Sequence, residues 1–282
     1  MSEMASASAP ATAANLGPGF DCVGLALSPR CMVKAQPADE WAVLHVGPYS
    51  PPPGEGDAVL AAARHTVGER PLALEVDAQI PMGKGIGSSA AAFVAGVAAS
   101  LRAVGEEAAP DRVFRLAAEL EGHADQVGAA VYGGLVVVPG EGIPIRLPLH
   151  PSLRPIVAIP ETRLPTHKAR AILPETYPID VVIRSLGRMS TLTAGLITGD
   201  PALLAASHGD EIHEAPRADL SPEVGHMMET ARRAGAVHAA RSGAGPSVIA
   251  IATRESADRV AAALAEEGAT VVNEPIDTVG LI

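Results

Sequence analysis

Residues 80–100 read IPMGKGIGSSAAAFVAGVAAS, and the fold depends on how this stretch is read. An alternating strand ends at Ile80 and a run of small apolar residues begins at Ala90. Between them the chain places Gly83, Gly85, Gly87, Ser88 and Ser89. Glycine is the residue of sharp turns and of backbone that approaches a ligand closely. Serine at a helix entrance can cap it, and the unpaired N–H groups there attract anions. The stretch predicts a phosphate cradle; taken alone, it could equally be a tight strand-to-helix connection. It is not a Walker loop, because no Gly-Lys-Ser/Thr closes it. Its glycines run GxGxG, which is not the GxGxxG of a dinucleotide fold.

Upstream, LALEVDAQI (72–80) alternates apolar and polar residues in period 2, which predicts a half-buried strand. Residues 88–104 follow as a long Ala-rich helix. Earlier segments give strands at 31–35 and 42–46, a Pro/Gly loop at 49–57, and a helix from about Asp57 to Val67 with Asp57 as its N-cap. Residues 111–122 predict a helix stopped by Gly122, and YGGLVVVPG (132–140) a buried strand. A new pattern starts at RPIVAIP (154–160), with helices at 167–172, 178–197, 201–208 and 222–234. Strand AVHAAR (236–241), a glycine turn, strand PSVIAIAT (246–253), helix 255–268 and strand 269–275 end the chain. That β-β-α-β succession resembles half of a ferredoxin-like α+β sandwich. The boundary is placed near residue 150, giving units 1–150 and 151–282 that share an interface, since no long linker separates them.

Composition narrows the function classes. The chain has 282 residues, 48% hydrophobic and 19% charged, enough for a substantial core. Only 2% are aromatic, against a stacking platform for single-stranded nucleic acid. A net charge of −11 disfavours a large phosphate-backbone footprint, but leaves room for a small anionic ligand at a helix N-terminus. Cys22 and Cys31 form neither a CxxC pair nor a zinc pattern. No apolar run reaches the ~18 residues of a membrane span, and no basic-then-apolar leader opens the sequence. A cytoplasmic protein, with no membrane or nucleic-acid partner, is expected.

The loop Pro81-Met-Gly-Lys-Gly85-Ile-Gly87-Ser88-Ser89-Ala-Ala resembles the PxxxGLGSSAA signature of the GHMP kinases. SAPATAANLGPGFDCVGLAL (8–27), EGHADQVGAAVYGGLVV (121–137) and HEAPRADL (213–220) resemble segments of the homoserine kinases within that superfamily. RSGAGPSVIAI (241–251) resembles the superfamily's C-terminal glycine loop, with Gly243 and Gly245. The resemblance runs through both halves in order. It implies an α+β two-domain GHMP kinase fold, with a ribosomal-S5-domain-2-like N-terminal half and a ferredoxin-like C-terminal half. It implies phosphorylation of the side-chain hydroxyl of L-homoserine by ATP with Mg²⁺, a step toward threonine, and is compatible with a homodimer.

Carried over residue by residue, the resemblance gives a site. Pro81, Gly83, Lys84, Gly85, Ile86, Gly87, Ser88 and Ser89 would hold ATP, chiefly through backbone N–H groups and the helix dipole. Lys84 is the obvious cation in the loop, but it fills a variable position of the signature, which favours reading it as a surface lysine. Ser89 and Glu121 would hold the metal, with Glu119 as the rival carboxylate; phosphoryl transfer needs such a charge because its transition state is spread negative charge. Arg170 and Arg217 would clamp the substrate's α-carboxylate, a task that suits planar bidentate donors. Asp21 would take the ammonium, while Asn15, His123, Asp125 and Thr166 orient the rest; Glu121, Asp125 and Gln126 form the catalytic set, with Asp125 binding substrate rather than abstracting a proton. Gln126 stands where the family has Asn, Ala124 where it has Pro, and Asp57 roughly where an Asn contacts adenine. Two alternatives stay open: another small-molecule GHMP kinase of the mevalonate or shikimate type, and a non-catalytic nucleotide-binding regulator.

Overall fold

A computed structural model describes residues 4–51, 56–140 and 142–282. The first half contains β1 (Ala5–Ala14), β2 (Val23–Pro37), β3 (Ala42–His45), α1 (Ala58–Val67), β4 (Leu72–Ala78), α2 (Ser88–Ala103), α3 (Pro110–Glu121), α4 (Ala124–Tyr132), β5 (Leu135–Val137) and β6 (Ile145–Leu147). Its strands make one sheet in the order β3-β4-β2-β5-β6, with β1 antiparallel to β2 and β3 parallel to β4. The Ala-rich α2 packs on β1 and β2. Ala90, Ala91, Ala95, Ala98 and Ala99 are fully buried, so small side chains let the helix lie close to the sheet.

The second half contains β7 (Leu153–Ile159), α5 (Thr166–Ala171), α6 (Ile179–Thr198), α7 (Pro201–Ala206), α8 (Pro222–Arg233), β8 (Ala236–Arg241), β9 (Val248–Thr253), α9 (Ala257–Glu266) and β10 (Thr270–Val272). Its antiparallel sheet runs β10-β7-β9-β8, so its four strands lie in space in the order fourth, first, third, second. With α8 and α9 packed against it, this is a ferredoxin-like sandwich, as the sequence predicts. One hydrophobic core reaches from Leu16, Leu25 and Val94 to Leu192, Leu196, Ile249 and Ile251, joining the two halves. A smaller core around Ile156, Met227, Val260 and Leu264 belongs to the second half. The last residues return to the first half, where Ile282 and Ser8 exchange backbone hydrogen bonds of 2.9 and 3.0 Å and Arg30 pairs with Asp277.

Four elements, β1, β2, β6 and α4, differ from the sequence expectation. The strand expected at 31–35 lies in the second half of the 15-residue β2, and the sequence pattern predicts neither β1 nor the short β6. Pro10 argues against a strand, yet β1 accommodates it where the pairing register shifts between Pro10 and Thr12. The helix α4 was also missed. Every residue from Asp125 to Val131 is buried, so no polar face marks a helical period. The expected loop at 49–57 lies partly, at 52–55, outside the described residues. Among the described residues no helix is long and apolar enough to cross a membrane.

Candidate active site

The glycine loop joins β4 to α2. Gly87 is the N-cap of α2, in a left-handed conformation (φ 66°), and no side chain caps the helix, contrary to a serine cap. The first-turn N–H groups of α2 therefore have no intrahelical or capping partner and face an anion site. Thr12 of β1 presses on one side of the loop, its N–H donating to Ile86 O at 3.0 Å. A Cβ on Gly87 would overlap Thr12 Oγ1. The C-terminal glycine loop presses on the other side. Ser242 Oγ donates to Gly85 O at 2.7 Å, and a Cβ on Gly85 would stand 2.6 Å from Gly245 O. The cradle is thus wedged rigid between two strand ends.

Over this loop opens a cavity of about 240 Å³, lined by Gly83, Gly85, Gly87, Ser88, Ser89, Glu121, Gln126, Arg163 and Thr166 among others. Beside it lies a mostly apolar cavity of about 370 Å³, walled by Val59, Val76, Ile80 and Phe93 and sharing Met82, Ser88 and Ser89. An apolar slot next to a bare helix N-terminus suits a nucleoside triphosphate. Asp57 lines the slot as the N-cap of α1. Its Oδ1 accepts from Leu60 N–H at 3.0 Å and its Oδ2 lies 2.7 Å from His45 Nε2, so both oxygens are engaged.

Three loop residues do not turn their side chains to the phosphate cavity. Lys84 Nζ donates to the carbonyls of Pro160, Glu161 and Thr162 at 2.7, 2.5 and 2.8 Å, so it staples the loop to the second half. Ile86 is 1% exposed in the core. Pro81 lines a shallow groove outside the cradle. The cation that does line the cavity is Arg163, which nothing in the sequence singled out.

Ser89 Oγ donates to Glu121 Oε1 at 3.0 Å, bringing together the two expected metal ligands at the helix N-terminus. Glu119 points elsewhere, 3.0 Å from His65 on the surface. Hard oxygen donors of this kind fit Mg²⁺, which commonly takes one or two carboxylates and completes its shell with phosphate and water. Among the described residues there is no group of three or more His, Cys, Asp or Glu side chains that could hold a metal.

A third, much smaller pocket of about 10 Å³ adjoins the cradle, barely room for one water. It gathers Asn15, Asp21, His123, Asp125, Gln126, Thr166, Arg170, Arg217 and Gly243, contributed by segments far apart in sequence. Asn15 Oδ1 accepts from Asp21 N–H at 3.0 Å, and its Nδ2 donates to Gly243 O at 3.0 Å. Arg170 pairs with Asp21 at 2.6 Å. Arg170 and Arg217 both lie over the Phe20 ring, at 5.1 and 5.5 Å from its centroid. Burial first, then the charges of Arg241 and Arg170, lower the pKa of Arg217 to about 10, which keeps it charged at neutral pH. Phe20 lies inside the segment 8–27, where no feature of its residue type marks it out for a role.

Asp125 is 1% exposed; its Oδ1 accepts from Gln126 N–H at 2.8 Å, while Oδ2 has no hydrogen-bond partner among the described residues. Burial, reinforced by the charge of Asp21, raises its pKa from 3.8 to about 7. Between those pH values the unfolded chain gives up this proton while the folded chain keeps it. Stability therefore falls across that window and levels off above it. Asp125→Asn is expected to raise the melting temperature at pH 8, by at most the equivalent of about 2–4 kcal/mol, and to change it little at pH 4. Melting curves at both pH values check this; an equal shift at each would mean that the effect is not linked to the Asp125 proton.

Residues 57–134 match the GHMP kinases N terminal domain, and residues 194–270 the GHMP kinases C terminal domain. The chain is 41% identical to the homoserine kinase of Thermus thermophilus over 251 residues, 86% of this chain and 85% of the relative. It is 36% identical to that of Moorella thermoacetica over the same shares. Among solved structures, homoserine kinase from Cytophaga hutchinsonii superposes with a TM-score of 0.87 at 29% identity, covering 100% of this chain and 98% of that one. The L. major mevalonate kinase in complex with R-mevalonate gives 0.70 at 17% identity, over 98% and 97%, and shares the fold.

Proposed function

The chain belongs to the homoserine kinases of the GHMP kinase superfamily, and on that premise we infer how its cleft moves the γ-phosphoryl group of ATP to the side-chain hydroxyl of L-homoserine. The products are ADP, O-phospho-L-homoserine and a proton. The observation that supports the division of roles is the placement of one carboxylate, Asp21, and two arginines, Arg170 and Arg217, in a pocket directly beside the anion cradle. A zwitterion needs both signs of charge; a plain hydroxy acid such as mevalonate or shikimate gives Asp21 nothing to bind. Intact loop glycines and a carboxylate at the cradle speak against a non-catalytic regulator.

In this reading the apolar slot takes the nucleoside, and the α2 N-terminus with Arg163 takes the phosphates. Ser89 and Glu121 would hold Mg²⁺, which when bound supplies positive charge to the phosphates. Arg217 and Arg170 receive the α-carboxylate, Asp21 the ammonium, and Asp125 Oδ2 accepts a hydrogen bond from the substrate. Asn15 and Gln126 fix the pocket walls, and Thr166 and His123 orient the acceptor. Because phosphoryl transfer asks chiefly for alignment and charge compensation, these positions do most of what the reaction requires. A cytoplasmic location and the division near residue 150 belong to the same proposal.

Coupled assays with ATP and homoserine, mevalonate, shikimate or galactose test the acceptor; turnover of mevalonate or shikimate above homoserine would reject it. Arg217→Leu tests the clamp. It is expected to raise the KM for homoserine about 30-fold or more, the equivalent of at least ~2 kcal/mol for a carboxylate left without its buried partner. The KM for ATP should stay within about twofold. Unchanged homoserine kinetics would remove Arg217 from the site.

A further inference from the structure

Asn15, Leu16 and Gly17 follow one another at φ 71°, 51° and 82°, a left-handed run that includes two non-glycine residues. Such backbone persists only where its surroundings hold it. Here two buried histidines from the second half take its carbonyls. His238 Nε2 lies 2.9 Å from Leu16 O, and His213 Nε2 lies 2.8 Å from Gly17 O. His213 does more, since its Nδ1 is 3.0 Å from Arg217 Nη1 and its ring stacks on Phe20 at 4.9 Å. An arginine nitrogen only donates and a carbonyl only accepts. The imidazole is therefore neutral, unprotonated on Nδ1 and protonated on Nε2. Its own backbone N–H is fixed by Asp210 Oδ2 at 2.7 Å, and the residue is fully buried.

We propose that His213 is the positioning residue of the acceptor clamp, a neutral bridge that sets Arg217 at a fixed distance from the loop carrying Asn15 and Asp21. A carboxylate in its place would also orient the guanidinium, but would cancel the charge meant for the substrate. The imidazole accepts from Arg217 Nη1 without neutralising it; with Nε donating to Ala169 O at 2.9 Å, Nη2 is left to face the α-carboxylate. Burial lowers the pKa of His213 and keeps it neutral near pH 7. The inference rests on the reading of Arg217 as the carboxylate clamp.

Two substitutions separate the two ends of the bridge. In His213→Gln the side-chain amide nitrogen reaches the place of Nε2 and keeps the bond to Gly17 O, but the acceptor for Arg217 is lost. In His213→Asn an amide oxygen stands near the place of Nδ1, so the acceptor is kept and the loop bond is lost. His213→Gln is expected to raise the KM for homoserine about 10-fold, with kcat and the KM for ATP within about twofold of the parent. It should leave kcat/KM unchanged for aminopropanol, which is homoserine without its carboxylate. His213→Asn should recover much of the homoserine KM. Equal losses for homoserine and aminopropanol would show a merely structural histidine and overturn the proposal. Arg217→Leu distinguishes the remaining failures. A homoserine KM raised by Arg217→Leu but untouched by His213→Gln overturns the bridge alone; a KM untouched by both overturns the clamp and the bridge with it.

Discussion

Glu121→Gln is expected to slow turnover by about 10²–10³-fold, the usual scale for losing a charge that compensates a phosphoryl or oxyanion transition state. The substitution keeps size and hydrogen bonding to Ser89, which now meets Glu121 at 3.0 Å, but removes the negative charge that Mg²⁺ prefers. Homoserine affinity and the melting temperature should survive. Raising Mg²⁺ should recover part of the rate, because weaker binding is offset by mass action. Glu119→Gln is the control. Its carboxylate pairs with His65, away from the cradle, so its rate should match the parent. Normal turnover of both variants across a Mg²⁺ titration would remove the carboxylate from the metal site.

Gly87→Val is expected to weaken nucleotide binding by more than about 100-fold. Positive φ at the N-cap disfavours any β-branched residue, and the added Cβ would overlap the buried Thr12 hydroxyl. The backbone would have to leave the conformation that aims its N–H groups at the phosphates. Calorimetric titration with a non-hydrolysable ATP analogue measures this, alongside a melting curve. A folded Gly87→Val protein that kept its nucleotide affinity would refute the cradle.

The cradle was legible because its conformational demand is written in residue type: only glycine serves where Thr12, Ser242 and Gly245 crowd the loop. The proposed acceptor pocket was legible in another way. Its residues run from Asn15 to Gly243 and no local period unites them, so the resemblance of four separated motifs had to bring them together. What escaped was set by tertiary contact. Arg163 sits beyond the last strand residue of β7 in a segment with no turn or period to mark it. Lys84 sits at a variable loop position that reads as a surface lysine, yet three carbonyls 76 to 78 residues away take its ammonium. His213 stood in a quoted motif without a role because its partner Gly17 O lies 196 residues upstream. The helix α4 hid because burial on every side erased its polar face.

The ion pair between Arg170 and Asp21 has a consequence for selectivity. In the empty pocket these two partly exposed groups satisfy each other, with the buried Asp125 and Arg217 lining the same pocket. A ligand bearing only a carboxylate would draw off Arg170 and leave Asp21 facing Asp125 uncompensated. A ligand bearing only an ammonium would strand Arg170 against Arg217. An amino acid alone replaces one internal pair with two, so acceptor entry is a double exchange of counter-ions. With the substrate roles proposed above, electroneutrality rather than shape would then favour amino acids over hydroxy acids and amino alcohols at the mouth of the pocket, the latter remaining weaker acceptors, before any phosphate is in play.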